Sequence, residues 1–91
     1  MSETVRYVRA PAARLKEVGG TSAVYLRDDR ALHVLNPSAR LVFDCLERPT
    51  SLAALALRLS ELTGVERGVV ERDLLEVLPD FVRRGLVERL G

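Results

Sequence analysis

The stretch Ala31-Leu32-His33-Val34-Leu35-Asn36-Pro37 decides how the rest of the chain is read. Its first five residues read as a short strand that runs straight into a helix start. Pro37 has the fixed φ and missing N–H that suit a first helical turn, and the Asn36 side chain suits the cap before it. Upstream of this point the chain reads as extended, and downstream as helical. The switch from strands to helices within one small chain restricts the fold more than any single reactive residue does.

Working upstream, residues 22–27 (Ser-Ala-Val-Tyr-Leu-Arg) place β-formers between the glycine pair Gly19-Gly20 and the polar Asp28-Asp29-Arg30, both read as turns. Before the glycines, Ala13, Leu15 and Glu17 alternate with Arg14, Lys16 and Val18, which predicts another strand. The strand over 31–35 follows at hairpin distance, so this third of the chain is expected to be a three-stranded antiparallel meander. Residues 5–9 (Val-Arg-Tyr-Val-Arg) have strand-like composition without clean alternation, and Pro11 breaks that stretch. Residues 2–4 read as a loose terminus.

Downstream, Ala39, Val42, Phe43 and Leu46 share one helical face, which predicts a short amphipathic helix over 37–47. It is expected to stop before Arg48-Pro49, because the residue preceding a proline is pushed out of the helical region. Thr50 is the expected cap of a second helix with Leu52, Leu55, Leu59 and Leu62 as its stripe and Gly64 as its stop. A third helix is expected to start near Glu66, burying Val70, Leu74, Val77, Leu78 and Phe81, with Leu75 and Val82 beside them. Pro79 predicts a kink or break, because an interior proline costs about 3 kcal/mol and a hydrogen bond. Arg83-Arg84-Gly85 supplies a cationic last turn and a cap, and 86–90 (Leu-Val-Glu-Arg-Leu) alternates as a final strand.

The 91 residues are expected to form a single domain over 1–91, with strands about 13–35, helices about 37–84 and a short strand about 86–90. The hydrophobic share of 47% is carried by Leu, Val and Ala, which suits helix-rich packing and argues against disorder. A formal net charge of +1 supplies no field to attract nucleic acid or an anionic membrane. One cysteine, Cys45, excludes an internal disulfide. The start Met-Ser-Glu-Thr lacks signal-peptide features, and no apolar run approaches the ~18 residues of a membrane span, so a cytoplasmic protein with no membrane partner is expected.

The fold class read from this order is α+β, a winged helix-turn-helix of three helices preceded by a three-stranded antiparallel β-meander. At residues 31–36, Pro37-Ser38-Ala39, Thr50-Ser51-Leu52, Asp73-Leu74-Leu75 and Arg84-Gly85-Leu86-Val87, the chain resembles a PqqD-type recognition element of ribosomally synthesised, post-translationally modified peptides (RiPPs). The resemblance covers roughly 12–90 and lies in the order and spacing of these motifs rather than in any one of them. The chain departs from the family pattern at Pro79, and at Phe43, where relatives often carry Trp.

The resemblance implies a stand-alone protein that binds the leader segment of a precursor peptide and presents it to modifying enzymes. In that family the leader adds as an antiparallel strand to the third meander strand and lies in a cleft against the third helix. Here Ala31, Leu32, His33, Val34 and Leu35 supply the strand edge, whose N–H and C=O groups another strand can satisfy. Leu35 is expected to point to the core, and Leu32 and Val34 to be the better exposed pair. On the third helix Val69, Asp73, Glu76 and Asp80 flank the buried stripe, with Val70 and Val77 at its border. Asp73 and Asp80 are available to a basic or amide group of the leader, and Arg84 to a carboxylate. The implied enzyme partners are the leader peptidase and cyclase of lasso-peptide maturation in first place, and a radical SAM enzyme of quinone-cofactor synthesis in second.

The residue inventory argues against catalysis. His33 has no second His, no partner Cys and no Cys-x-x-Cys, so no cofactor and no metal site are expected and the protein is read as a non-enzyme. Cys45 reads as a small buried hydrophobe, and Gly19-Gly20 has no phosphate-loop context. Ser38 stands in Pro-Ser-Ala rather than the Asp-Ser-Leu of carrier proteins. The rival reading is a winged-helix DNA-binding regulator. From Glu66 to Arg84, however, Glu66, Glu71, Asp73, Glu76 and Asp80 outnumber Arg67, Arg72, Arg83 and Arg84, which repels phosphate, so no nucleic-acid partner is expected. A basic patch of Arg6, Arg9, Arg14 and Lys16 near the N-terminus is the remaining cationic feature.

Overall fold

The computed structural model describes residues 5–27 and 29–91, so the terminus expected at 2–4 and the Asp28 position of the expected turn lie outside it. The strands are β1 (Arg6–Arg9), β2 (Ala13–Val18), β3 (Thr21–Leu26), β4 (Asp29–Leu35), β5 (Thr50–Ser51) and β6 (Val87–Leu90). The helices are α1 (Pro37–Asp44), α2 (Leu52–Thr63) and α3 (Arg67–Arg83), giving an α+β fold. Strands β2, β3 and β4 pair antiparallel in that order, which is the expected meander. Gly19 and Gly20 both hold positive φ, 59° and 81°, which is why glycines turn the first hairpin. The second hairpin is tighter than expected, since Asp29 and Arg30 already belong to β4. Its register shifts between Tyr25 and Leu26, so regular pairing is confined to Leu32–Leu35 against Ser22–Tyr25.

A second sheet was not foreseen. β1 is its centre, paired antiparallel with β5 on one side and β6 on the other, in the order β5-β1-β6. The final strand, expected over 86–90, runs over Val87–Leu90 and pairs with β1 rather than with a wing of its own. Thr50 is drawn into β5 opposite Tyr7, so the cap of α2 passes to Ser51, whose Oγ accepts from the Ala54 N–H at 3.1 Å. The Arg9 N–H donates to the Leu46 carbonyl at 2.9 Å, which fixes the chain leaving α1 along β1.

This attachment also shortens α1, which ends at Asp44 rather than Glu47. The Arg9 side chain turns inward over the helix end. Its Nε–H donates to the Phe43 carbonyl at 2.9 Å, a terminal N–H reaches the Asp44 carbonyl at 3.3 Å, and the guanidinium lies 4.7 Å from the Phe43 ring centroid. Arg9 is thereby removed from the N-terminal basic patch and caps a helix C-terminus.

One cluster forms the core, with Val24 and Leu35 from the meander, Val42, Phe43 and Leu46 from α1 and the turn after it, Leu55, Ala56 and Leu59 from α2, Val70, Leu74, Leu78 and Phe81 from α3, and Leu86 and Val87. Leu62 is 57% exposed instead of buried. The buried face of α2 is centred on Leu55, Ala56 and Leu59, and Leu62 falls at its margin in the last turn. Gly64 ends α2 in the left-handed region at φ 76°, as expected.

Pro79 does not break α3, which is continuous from Arg67 to Arg83. The carbonyl deprived of its donor belongs to Leu75, a residue 62% exposed, so water can satisfy it. Leu75 accordingly faces solvent rather than flanking the core. Gly85, at φ 77°, closes α3: its N–H donates to the Val82 carbonyl and that of Leu86 to the Phe81 carbonyl, which turns the chain into β6.

Candidate functional site

The corner between β4 and α1 is built as its sequence predicts. Asn36 caps α1, its Oδ1 accepting from the Ala39 N–H at 2.8 Å, and Pro37 occupies the first turn. Leu35 is 5% exposed and anchors the strand in the core, while Leu32 and Val34 are each 63% exposed. Ala31 is exposed and His33 half-buried. The His33 Nε2 is buried with no hydrogen-bond partner among the described residues. β4 is the last strand in the order β2-β3-β4 and is hydrogen-bonded to β3.

Arg40 locks this corner to the meander. It bonds Glu17 of β2, donates to the Ser22 Oγ of β3 at 2.9 Å, and pairs with Asp44 at 3.1 Å one turn along α1. The hydrogen bond that Arg40 donates to the Glu17 carboxylate, and then the Asp44 charge, raise the Arg40 pKa further against the opposing effect of desolvation, so the guanidinium is always cationic.

Where β4 leads into α1, a cleft of about 330 Å³ opens toward α3. Its α3 wall is Val70, Asp73, Leu74, Glu76 and Val77; Asn36, Ser38, Ala39, Leu41 and Val42 form the opposite side, and Leu59, Thr63 and Val65 close the end. Four sequence-predicted site residues, Val70, Asp73, Glu76 and Val77, are thus brought together. The strand residues 31–35 are not in its wall and reach it through Asn36. Val69, 39% exposed, lies outside the cleft on the same helix. Asp80 and Arg84 pair with each other at 3.1 Å, with Arg83 on the same carboxylate, so their charges are turned toward one another.

The cleft has an apolar floor and a carboxylate rim. Asp73 and Glu76 are exposed, and neither belongs to an ion pair among the described residues. Such a cavity accepts an aliphatic or aromatic side chain with a cation or amide beside it. The α1 contribution is not read from the sequence, because the helical face of Ala39 and Val42 predicts burial in the core; the cap at Asn36 is the available signal that the first turn of α1 faces open space.

Most arginines of α3 and its C-cap are held in ion pairs. Arg67 is 3.7 Å from Glu71, and Arg83 and Arg84 share Asp80, leaving Arg72 as the one arginine of this helix without an ion pair among the described residues. No group of three or more His, Cys, Asp or Glu side chains among the described residues is placed to hold a metal ion. Cys45 is half-buried with a free thiol. No helix of the described residues is long and apolar enough to cross a membrane.

Comparison with known proteins adds one finding. The profile of the family described as coenzyme PQQ synthesis protein D (PqqD) matches residues 23–87, from the middle meander strand to the start of β6. No curated protein and no solved structure matches the chain.

Proposed function

Because the chain belongs to the PqqD family, whose domain is the RiPP recognition element fold, we propose that it binds the leader segment of a ribosomally made precursor peptide and hands it to a modifying enzyme. Family membership supports precursor binding in general and a non-catalytic role. The observation that carries the specific reading is the adjacency of a sheet-terminal strand, β4, to an apolar cleft rimmed by Asp73 and Glu76. The leader adds antiparallel to β4 over 32–35, where pairing is regular, and then passes Asn36 so that one large apolar side chain enters the cleft. A basic residue next to that anchor meets Asp73 or Glu76.

The affinity follows from the geometry. Four or five backbone hydrogen bonds at about 1 kcal/mol each and two or three filled apolar positions at about 2 kcal/mol each are reduced by about 2–5 kcal/mol for ordering the peptide. The remainder, about 3–9 kcal/mol and centred near 6, corresponds to a dissociation constant of tens of micromolar. Lasso-peptide maturation, with a leader peptidase and cyclase receiving the peptide, is the favoured setting, and a radical SAM system of the PQQ type the second.

The test is fluorescence anisotropy with labelled leader peptides of small precursors encoded near this gene. Micromolar binding that weakens at least fivefold in Asp73→Lys/Glu76→Lys supports the reading. Absence of binding to every such leader, with saturable and sequence-dependent binding to DNA instead, overturns it.

A further inference from the structure

The two faces of the meander differ sharply. One carries Val24 and Leu35 into the core. The other is uncovered, and the register fixes what stands on it: Lys16, Ala23 and Val34 form one cross-strand row, and Arg14, Tyr25 and Leu32 the next. In both rows the β2 position is a cation and the β4 position is a large aliphatic residue exposed by 63%. Val18, 61% exposed, extends the row pattern toward the glycine hairpin, and Arg27 borders the hollow between Tyr25 and Leu32. The face is thus apolar along β3 and β4 and basic along β2.

None of the ion pairs formed by the described side chains joins a carboxylate to Arg14, Lys16 or Arg27. Glu17, the acid of β2, points to the opposite face and is held by Arg40. Arg14 donates to the Pro11 and Ala13 carbonyls, and neither Lys16 nor Arg27 forms an ion pair among the described residues. Uncovered aliphatic side chains beside cations without ion pairs are the complement of an apolar surface edged by carboxylates.

We propose that this outer face docks the modifying enzyme through a patch of apolar side chains flanked by Asp or Glu; this rests on the leader-binding reading above. A leader strand added to β4 enlarges the same sheet, so its outward side chains continue the apolar half of the face, and the enzyme reads protein and peptide together. A second copy of this chain is a poor occupant, because pairing two such faces opposes like charges. An anionic membrane is also poorer, because the face is a short sheet carrying Arg14, Lys16 and Arg27 rather than a long amphipathic helix.

The experiment measures, by biolayer interferometry, binding of the full chain to each purified modifying enzyme encoded with the precursor, with and without saturating leader peptide. Lys16→Glu/Tyr25→Ser is compared with the wild type and with Arg58→Glu, a charge reversal on exposed α2 surface. Folding is checked by circular dichroism, and leader affinity is measured in parallel. The expected result is at least a tenfold loss of enzyme affinity in the double variant, leader affinity within twofold of wild type, no loss in Arg58→Glu, and tighter enzyme binding by the loaded protein. Wild-type affinity in the double variant, or no enzyme bound by the wild type, overturns the proposal. So does a parallel loss of leader affinity, which assigns these residues to the peptide groove. It is likewise overturned if the double variant loses only binding to phosphatidylserine vesicles or only self-association in sedimentation. Enzyme binding that depends on Lys16 and Tyr25 in a protein that binds no leader separates the two readings, sustaining the docking face while refuting leader binding.

Discussion

Replacing Arg9 by Ala should destabilise the protein far more than a strand arginine near a terminus ordinarily does. Three interactions are lost together. The 2.9 Å bond to the Phe43 carbonyl is charge-assisted, and its loss leaves that carbonyl with the weaker backbone bond from the Leu46 N–H at 3.1 Å, about 1.5 kcal/mol. The longer contacts to the Asp44 carbonyl and carboxylate, at 3.3 and 3.4 Å with both side chains about one-third exposed, add about 0.5 kcal/mol after solvent screening. Stacking on Phe43 adds about 0.5–1 kcal/mol. The sum is about 3 kcal/mol, and at about 4–8 °C per kcal/mol for a domain of this size the melting temperature falls by about 12–24 °C. Urea unfolding followed by circular dichroism reads this as a lower midpoint with unchanged slope. Arg9→Lys keeps the charge without the planar fork and should recover half or less. A loss below about 1 kcal/mol, or full recovery by Lys, refutes the account of Arg9 as the cap joining β1 to the end of α1.

Pro79→Ala restores a donor to the Leu75 carbonyl at an exposed helical position, and should stabilise the fold by about 1–2 kcal/mol after allowing for the freer unfolded chain; a lower thermal midpoint contradicts this. His33→Leu removes a buried nitrogen that has no partner among the described residues while keeping similar volume, so chemical denaturation should show equal stability or a gain of up to about 1 kcal/mol. A loss above about 1 kcal/mol means that His33 makes a contact the structure does not show.

The meander was legible because its signals are local. Glycines with positive φ mark one turn, and Asn36-Pro37 fixes where β4 ends. With that end fixed, two-residue alternation assigns Leu35 to the core and Leu32 and Val34 to the surface. The second sheet was not legible, because it joins β1 to strands more than forty and about eighty residues away in sequence, and a two-residue strand such as β5 has no periodicity to read. The shortening of α1 follows from the same long-range pairing, since Arg9 reaches its end only after β1 has docked. Half of the cleft was legible from the helical face of α3; the α1 wall depends on how two helices cross, which spacing within either one does not determine. Pro79 shows local propensity overridden where the freed carbonyl faces water.

The most direct test of leader addition to β4 is amide hydrogen exchange and chemical-shift mapping of the labelled protein with and without a leader peptide it binds. The account predicts new exchange protection at outward-facing amides within 32–35, cross-strand contacts from antiparallel peptide backbone, and shifts at Val70, Asp73, Glu76 and Val77. Protection confined to β2, the other edge of the meander, or shifts on α3 with none on β4, would contradict it.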